Sequence, residues 1–164
     1  MAAHYHLPAG HHVTEGWTMA KQVAASGSVV IARPISEVFA FFSDAENDPK
    51  WRSGVKSIRR LGELGVGTQY EQTVAGPGGR SISADVKVTA FEPEWHVAFE
   101  ATSGPVRPHG DYRFEAADGG TKVTFSLSAE LSGLKAVLMA GMVQKTMDGE
   151  VGALPKAKAH LESA

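Results

Sequence analysis

Residues 27–54, GSVVIARPISEVFAFFSDAENDPKWRSG, carry the reading that decides the fold. Ser28–Ala32 is a short apolar run rich in β-branched side chains and predicts a strand. Pro34 then opens a helix, because in the first helical turn its missing N–H costs no hydrogen bond and its fixed φ suits the start. Ile35, Val38, Phe39 and Phe42 recur at helical spacing, with Phe41 widening the stripe. Ser43, Asp44 and Asp48-Pro49 end the helix, and Trp51 follows almost at once. A strand, a helix and a Trp, followed by many strands and a last helix, predict an α+β domain. We expect a strongly bent antiparallel sheet of about seven strands gripping a long C-terminal helix, with a small helix pair after the first strand. Such a sheet encloses an apolar hollow, and what fills it becomes the functional question.

Past Trp51 the punctuation is regular. Turn signals fall at Gly62 and Gly65-Val66-Gly67, at Gly76-Pro77-Gly78-Gly79, at Glu92-Pro93, at Ser103-Gly104-Pro105 and at Asp118-Gly119-Gly120. The runs between them alternate as a half-covered antiparallel sheet requires. Ile82, Ala84, Val86, Val88 and Ala90 oppose Ser81, Ser83, Asp85, Lys87 and Thr89. Val97, Phe99 and Ala101 oppose His96, Ala98 and Glu100, and Val123, Phe125, Leu127 and Ala129 oppose Lys122, Thr124, Ser126 and Ser128. Tyr112 and Phe114 oppose Asp111 and Arg113, while Tyr70 shares a face with Gln72. The run Val55–Leu61 alternates poorly and predicts a bulge. From Ser132 to Leu161 the pattern is helical, with Leu134, Val137, Leu138 and Gly141 on one side and Val143, Met147, Val151, Leu154 and Leu161 nearly opposite. Gly149, Gly152 and Pro155 interrupt it, so a short lead-in helix and a kinked final helix are expected.

The chain has 164 residues, which suits one domain, with 43% hydrophobic and 21% charged residues. A net charge of −2 gives no basic field, so nucleic acid is not an expected partner. No apolar run approaches the roughly 18 residues of a membrane span. With no cysteine, the chain has no disulfide, no thiolate nucleophile and no Cys-based metal site, in keeping with a cytoplasmic setting. Residues 1–25 are expected to form a leader outside the fold, and 26–164 a single ligand-binding domain. His4, His6, His11 and His12 lie in that leader as an unstructured tract, and Met19 would serve as a natural start, making 1–18 an upstream extension.

The order of elements and the segments ARPISEVFAFFSDAENDPKW (32–51), GVGTQYEQTV (65–74), VKVTAFEPEWHVAFEA (86–101), YRFEAADGGTKVTF (112–125) and EVGALPKAKAHLES (150–163) resemble the polyketide cyclase/dehydrase branch of the SRPBCC superfamily, the START-like helix-grip fold. The resemblance spans about Ser26 to Ser163. It implies a cavity between sheet and last helix that holds a hydrophobic or aromatic small molecule. It carries over no catalytic residue, because the superfamily includes lipid and hormone binders, aromatic cyclases, oxygenase domains and chaperone activators.

Strand parity points the chemistry away from the hollow. His96 and His109 fall on outward positions, as do Glu71 and Asp85, leaving Tyr70 and Tyr112 as the titratable groups of the concave face. No metal motif, phosphate loop or paired-carboxylate motif is present, and no cofactor is expected. The expected ligand-binding residues are Trp51 at the mouth (unless it caps the first helix against the sheet), Tyr70, Gln72, Val86, Val88, Phe99, Tyr112 and Phe125 on the sheet, and Met142, Val143 and Met147 above them. Ala84, Ala101 and Gly110 should leave volume unfilled. The alternatives are a closed core in which these residues simply pack, catalysis on an aromatic or polyketide-like substrate oriented by Tyr70, Gln72 or Tyr112, and a chaperone-activator-like interaction module. The oligomeric state is not legible.

Overall fold

A computed structural model describes residues 20–164; of the leader expected over 1–25, residues 1–19 lie outside the described residues. Strand β1 (Ala20–Ile31) leads through Pro34 into α1 (Ile35–Ser43) and a 3₁₀ turn (Ala45–Lys50). Then come β2 (Val55–Leu61), β3 (Gln69–Ala75), β4 (Ser81–Ser83), β5 (Val86–Glu92), β6 (His96–Ala101), β7 (His109–Ala117) and β8 (Gly120–Ser132). Helices α2 (Leu134–Leu138), α3 (Ala140–Val151) and α4 (Leu154–Glu162) close the chain. The eight strands form one open antiparallel sheet in the order β1-β8-β7-β6-β5-β3-β2, with β4 added beside β3.

The sequence reading places the first strand too late. β1 pairs with β8 from Ala20↔Ser132 to Ile31↔Thr121, so the boundary expected at residues 25 and 26 falls inside a strand. The reason is visible in its inward positions Val23, Ala25, Gly27, Val29 and Ile31, whose alternation starts before Gly27. Gly27 also serves packing, because a Cβ there would lie 2.7 Å from Val151 Cγ1 and would force that side chain to shift.

Pro34 caps α1, which buries Val38, Phe39, Phe41 and Phe42. Phe39 meets Phe114 edge-on at 5.2 Å and Phe91 at 5.5 Å, joining the helix to β7 and β5. The bulge expected near the start of β2 is present between Val55 and Ser57. A second, unexpected one lies between Val88 and Ala90. It reverses the parity of β5, so Phe91 rather than Ala90 reaches the core.

The kink expected in the last helix is a full break after Gly152, with Pro155 in the first turn of α4. Met147, Val151, Leu154, Ala157 and Leu161 turn their stripe onto the sheet, whereas Leu134, Leu138 and Met142 stay exposed. Side chains of α3 and α4 also reach the free backbone edge of β1. Gln144 accepts from Ala24 N–H and donates to Ala24 C=O, Lys158 donates to Val30 C=O at 2.7 Å, and Glu162 accepts from Ala32 N–H at 2.8 Å. On the opposite edge, Glu46 accepts from the Arg60 N–H of β2 at 2.9 Å.

Candidate functional site

Between the concave face of the sheet and α3 lies a cavity of about 470 Å³. Tyr70, Gln72, Val86, Val88, Phe99 and Tyr112 line it from the strands, and Met142, Val143 and Met147 from the helix, as parity and helical spacing place them. Gly104, Pro105, Val106 and Pro108 close one side, and half-exposed Met142 stands at the rim.

Trp51 and Phe125 are corrections, since both are fully packed core residues and not part of the lining. Trp51 ends the 3₁₀ turn and folds under α1, with Phe42 at 5.6 Å and Phe125 at 5.8 Å. Phe125 stacks on Tyr112, its cross-strand partner, at 4.6 Å. Gly110 is a third correction. The Phe99 ring lies over it, and a Cβ there would sit 2.3 Å from Phe99 Cζ. The missing side chain is replaced by a neighbouring ring rather than by free volume.

The lining is mostly apolar but ends in a charged corner that strand parity does not show. Asp48 comes from the 3₁₀ turn, Arg52 from the segment after it, and Glu150 from α3. Arg52 Nη1 donates to Asp48 Oδ2 at 2.7 Å and Arg52 Nε donates to Glu150 Oε2. The Arg52 and Asp48 side chains are only 10% and 6% exposed, so this is an interior ion triad. Burial pushes the Asp48 carboxyl up from 3.8 to about 6, even though Arg52 pulls it back. Burial acts against the Arg52 charge, but Asp48 and Glu150 outweigh it and hold the guanidinium firmly protonated.

Tyr112 completes the corner. Its hydroxyl is buried against the Arg52 guanidinium without completing a hydrogen bond of good geometry, and it feels the charges of Asp48, Arg52 and Glu150. Burial, then the Asp48 charge, raises it well above an ordinary phenol. The other expected polar tips are already engaged. Tyr70 donates to Asp44 Oδ1 at 3.3 Å and accepts from Ala45 N–H, with burial and the Asp44 charge pushing it up to about 12. Gln72 Nε2 donates to Ala84 C=O at 2.9 Å.

The described histidines stay off this face. His96 faces outward over a shallow groove with Ser126 and Ser128, its Nδ1 2.9 Å from Glu92 Oε2 and its Nε2 3.4 Å from Asp111 Oδ2. It is packed between two carboxylates rather than freely solvated. His109 is exposed beside Glu100, and His160 stacks on Phe41. Among the described residues no group of three or more His, Cys, Asp or Glu is placed to hold a metal ion, and no helix is long and apolar enough to cross a membrane.

A bent antiparallel sheet closed by a C-terminal helix over an internal cavity defines the helix-grip class. Residues 22–159 match the family described as polyketide cyclase/dehydrase and lipid transport, and the chain belongs to that family. Among solved structures, one domain of the di-domain ARO/CYC BexL from the BE-7585A biosynthetic pathway superposes with a TM-score of 0.72 at 17% identity, over 87% of this chain and 51% of that one. TTHA0849 from Thermus thermophilus gives 0.71 at 20% identity, over 87% and 98%. A START superfamily protein from Mycobacterium smegmatis gives 0.69 at 16% identity, over 85% and 97%. At these identities the likeness is one of fold. No curated protein matches the chain.

Proposed function

We propose that the protein binds a small hydrophobic or aromatic molecule in the cavity between sheet and α3, and carries or sequesters it in the cytoplasm. The observation behind this reading is the cavity itself, about 470 Å³ of mainly apolar lining whose three charged groups are gathered together. That size and make-up are those of small-molecule sites. Tyr70, Gln72, Val86, Val88, Phe99, Tyr112, Met142, Val143 and Met147 are the proposed contact residues.

The test uses N-phenyl-1-naphthylamine, a neutral dye whose emission rises in apolar surroundings. Saturable one-to-one binding is expected in the wild type, with at least a tenfold loss in Val143→Trp, whose indole would occupy the hollow. Absence of saturable binding, or equal affinity in the variant, would reject the reading.

A second reading, cyclisation or dehydration of an aromatic or polyketide-like substrate, is favoured by one feature. Asp48 titrates at about 6 beside Arg52 and the Tyr112 hydroxyl, in the range where a carboxyl exchanges protons efficiently near neutral pH. Conversion of a bound polyketide-type substrate by the wild type, and its loss in Asp48→Asn with binding retained, would decide for it.

A further inference from the structure

The charged corner specifies more about the ligand than its hydrophobicity. Arg52 carries one positive charge, and two carboxylates already hold it through Nη1 and Nε. Among the described residues its Nη2 makes no hydrogen bond, so one arm of the guanidinium remains available. Tyr112 is 3% exposed, and its hydroxyl, close to the Arg52 guanidinium, completes no hydrogen bond of good geometry. A buried hydroxyl in that state is a standing deficit that a ligand atom can remove. The guanidinium does not swing to meet a ligand, since its carbon lies 6.0 Å from the Trp51 ring and 5.9 Å from the Phe125 ring, and both carboxylates pin it.

From this arrangement we infer that the cavity selects uncharged ligands carrying a hydroxyl or carbonyl oxygen, which accepts at the Arg52–Tyr112 corner, and rejects carboxylates of the same shape. The inference rests on the cavity-binding reading above and narrows it to a chemical class.

The sign of the discrimination follows from counting charge. Asp48, Arg52 and Glu150 are the charged residues of the lining. Together they carry −1 when both acids are ionised, and zero when Asp48 holds its proton. A ligand carboxylate on Arg52 therefore enters beside one or two carboxylates with no uncompensated cation to receive it, and it loses its hydration in doing so. A neutral oxygen accepts from Nη2 or from the Tyr112 hydroxyl without that penalty. A ligand hydroxyl can also donate to Glu150 or Asp48, whose oxygens keep spare lone pairs. Tyr70 and Gln72 do not compete for the polar end, because Asp44, Ala45 and Ala84 already engage them.

Three probes of one shape separate the terms: naphthalene, 2-naphthol and 2-naphthoate, titrated at pH 7.5 by calorimetry or by displacement of N-phenyl-1-naphthylamine. In the wild type, 2-naphthol should bind about tenfold tighter than naphthalene, the value of one satisfied hydrogen bond. 2-Naphthoate should bind at least about tenfold more weakly than 2-naphthol. In Tyr112→Phe the advantage of 2-naphthol over naphthalene should shrink, with naphthalene affinity retained. In the double variant Asp48→Asn with Glu150→Gln, Arg52 loses its counter-charges, and 2-naphthoate should gain at least about tenfold over its wild-type affinity. Equal binding of 2-naphthol and 2-naphthoate to the wild type overturns this inference and leaves the cavity reading standing. Failure of all three probes to bind saturably overturns both.

Discussion

Replacing Arg52 with Met removes the cation from an interior that keeps its two acids. The side chains of Arg52 and Asp48 are 10% and 6% exposed, so solvent cannot take over the role of the guanidinium. Removing one partner of such a buried set costs about 3–5 kcal/mol. The loss must also depend on pH, and the wild type shows why. Burial has already moved Asp48 from 3.8 to about 6, which corresponds to about 3 kcal/mol of stability present in acid and absent at neutral pH. The folded carboxyl binds its proton more tightly than the unfolded one. Its contribution is therefore complete below 3.8 and is lost as the pH rises through the folded value. Without Arg52 the carboxyl rises further, because the charge that pulled it down is gone. Urea denaturation should show the variant destabilised by about 3–5 kcal/mol at pH 8, a fall in Tm of roughly 10 °C, and by clearly less at pH 4.5. Replacing all three residues with apolar ones (Asp48→Leu, Arg52→Met, Glu150→Leu) should recover at least half of the loss at pH 8. A deficit equal at both pH values, or one below about 1 kcal/mol at pH 8, would refute the buried triad.

Three further substitutions probe the packing around the cavity. Gly110→Ala should cost about 1–3 kcal/mol in chemical denaturation, because its Cβ displaces the Phe99 ring, and it should weaken dye binding as that ring moves into the hollow. Trp51→Ala should cost about 3–5 kcal/mol, since the indole is core rather than a ligand platform; an unchanged Tm with lost dye binding would return it to the cavity mouth. His109→Ala should stay within about 0.5 kcal/mol of wild type and leave dye affinity unchanged, as an exposed strand residue with a loose 3.7 Å contact to Glu100 would.

How far the sequence carried the reading depends on which element a residue sits in. Pro34 with the Phe39–Phe42 stripe, and the alternation of β6 and β8, led directly to the observed helix, strands and concave face. Tyr70, Gln72, Val86, Val88, Phe99 and Tyr112 followed from period-2 parity alone. Parity stops where the backbone departs from a strand, and the charged corner begins there. Asp48 read as a helix stop beside Pro49, and no strand or helix periodicity marked Arg52, whereas the 3₁₀ turn brings both inward as an i,i+4 pair. Glu150 was within reach, because it follows Val143 and Met147 at i+7 and i+3 and therefore shares their inward face. Phe125 shows the converse. Its inward parity was right, but the cavity ends before it, because Trp51 already occupies that space.

The side chains that α3 and α4 place on the backbone of β1 bear on how the protein avoids self-association. β1 is a 12-residue strand at the end of an open sheet, a template on which another extended chain can add. Gln144 occupies both backbone groups of Ala24, Lys158 the carbonyl of Val30, and Glu162 the amide of Ala32. The segment that roofs the hollow is therefore also the guard of the sheet's longest free margin. Shortening the chain before Gln144 would do more than open the cavity, because it would turn β1 into an unguarded seam along which copies could join edge to edge. The last helices thus serve colloidal stability as well as the roof of the hollow. Lys158, outside the cavity lining, takes part in the fold's function by helping to keep each copy of the chain separate from the next.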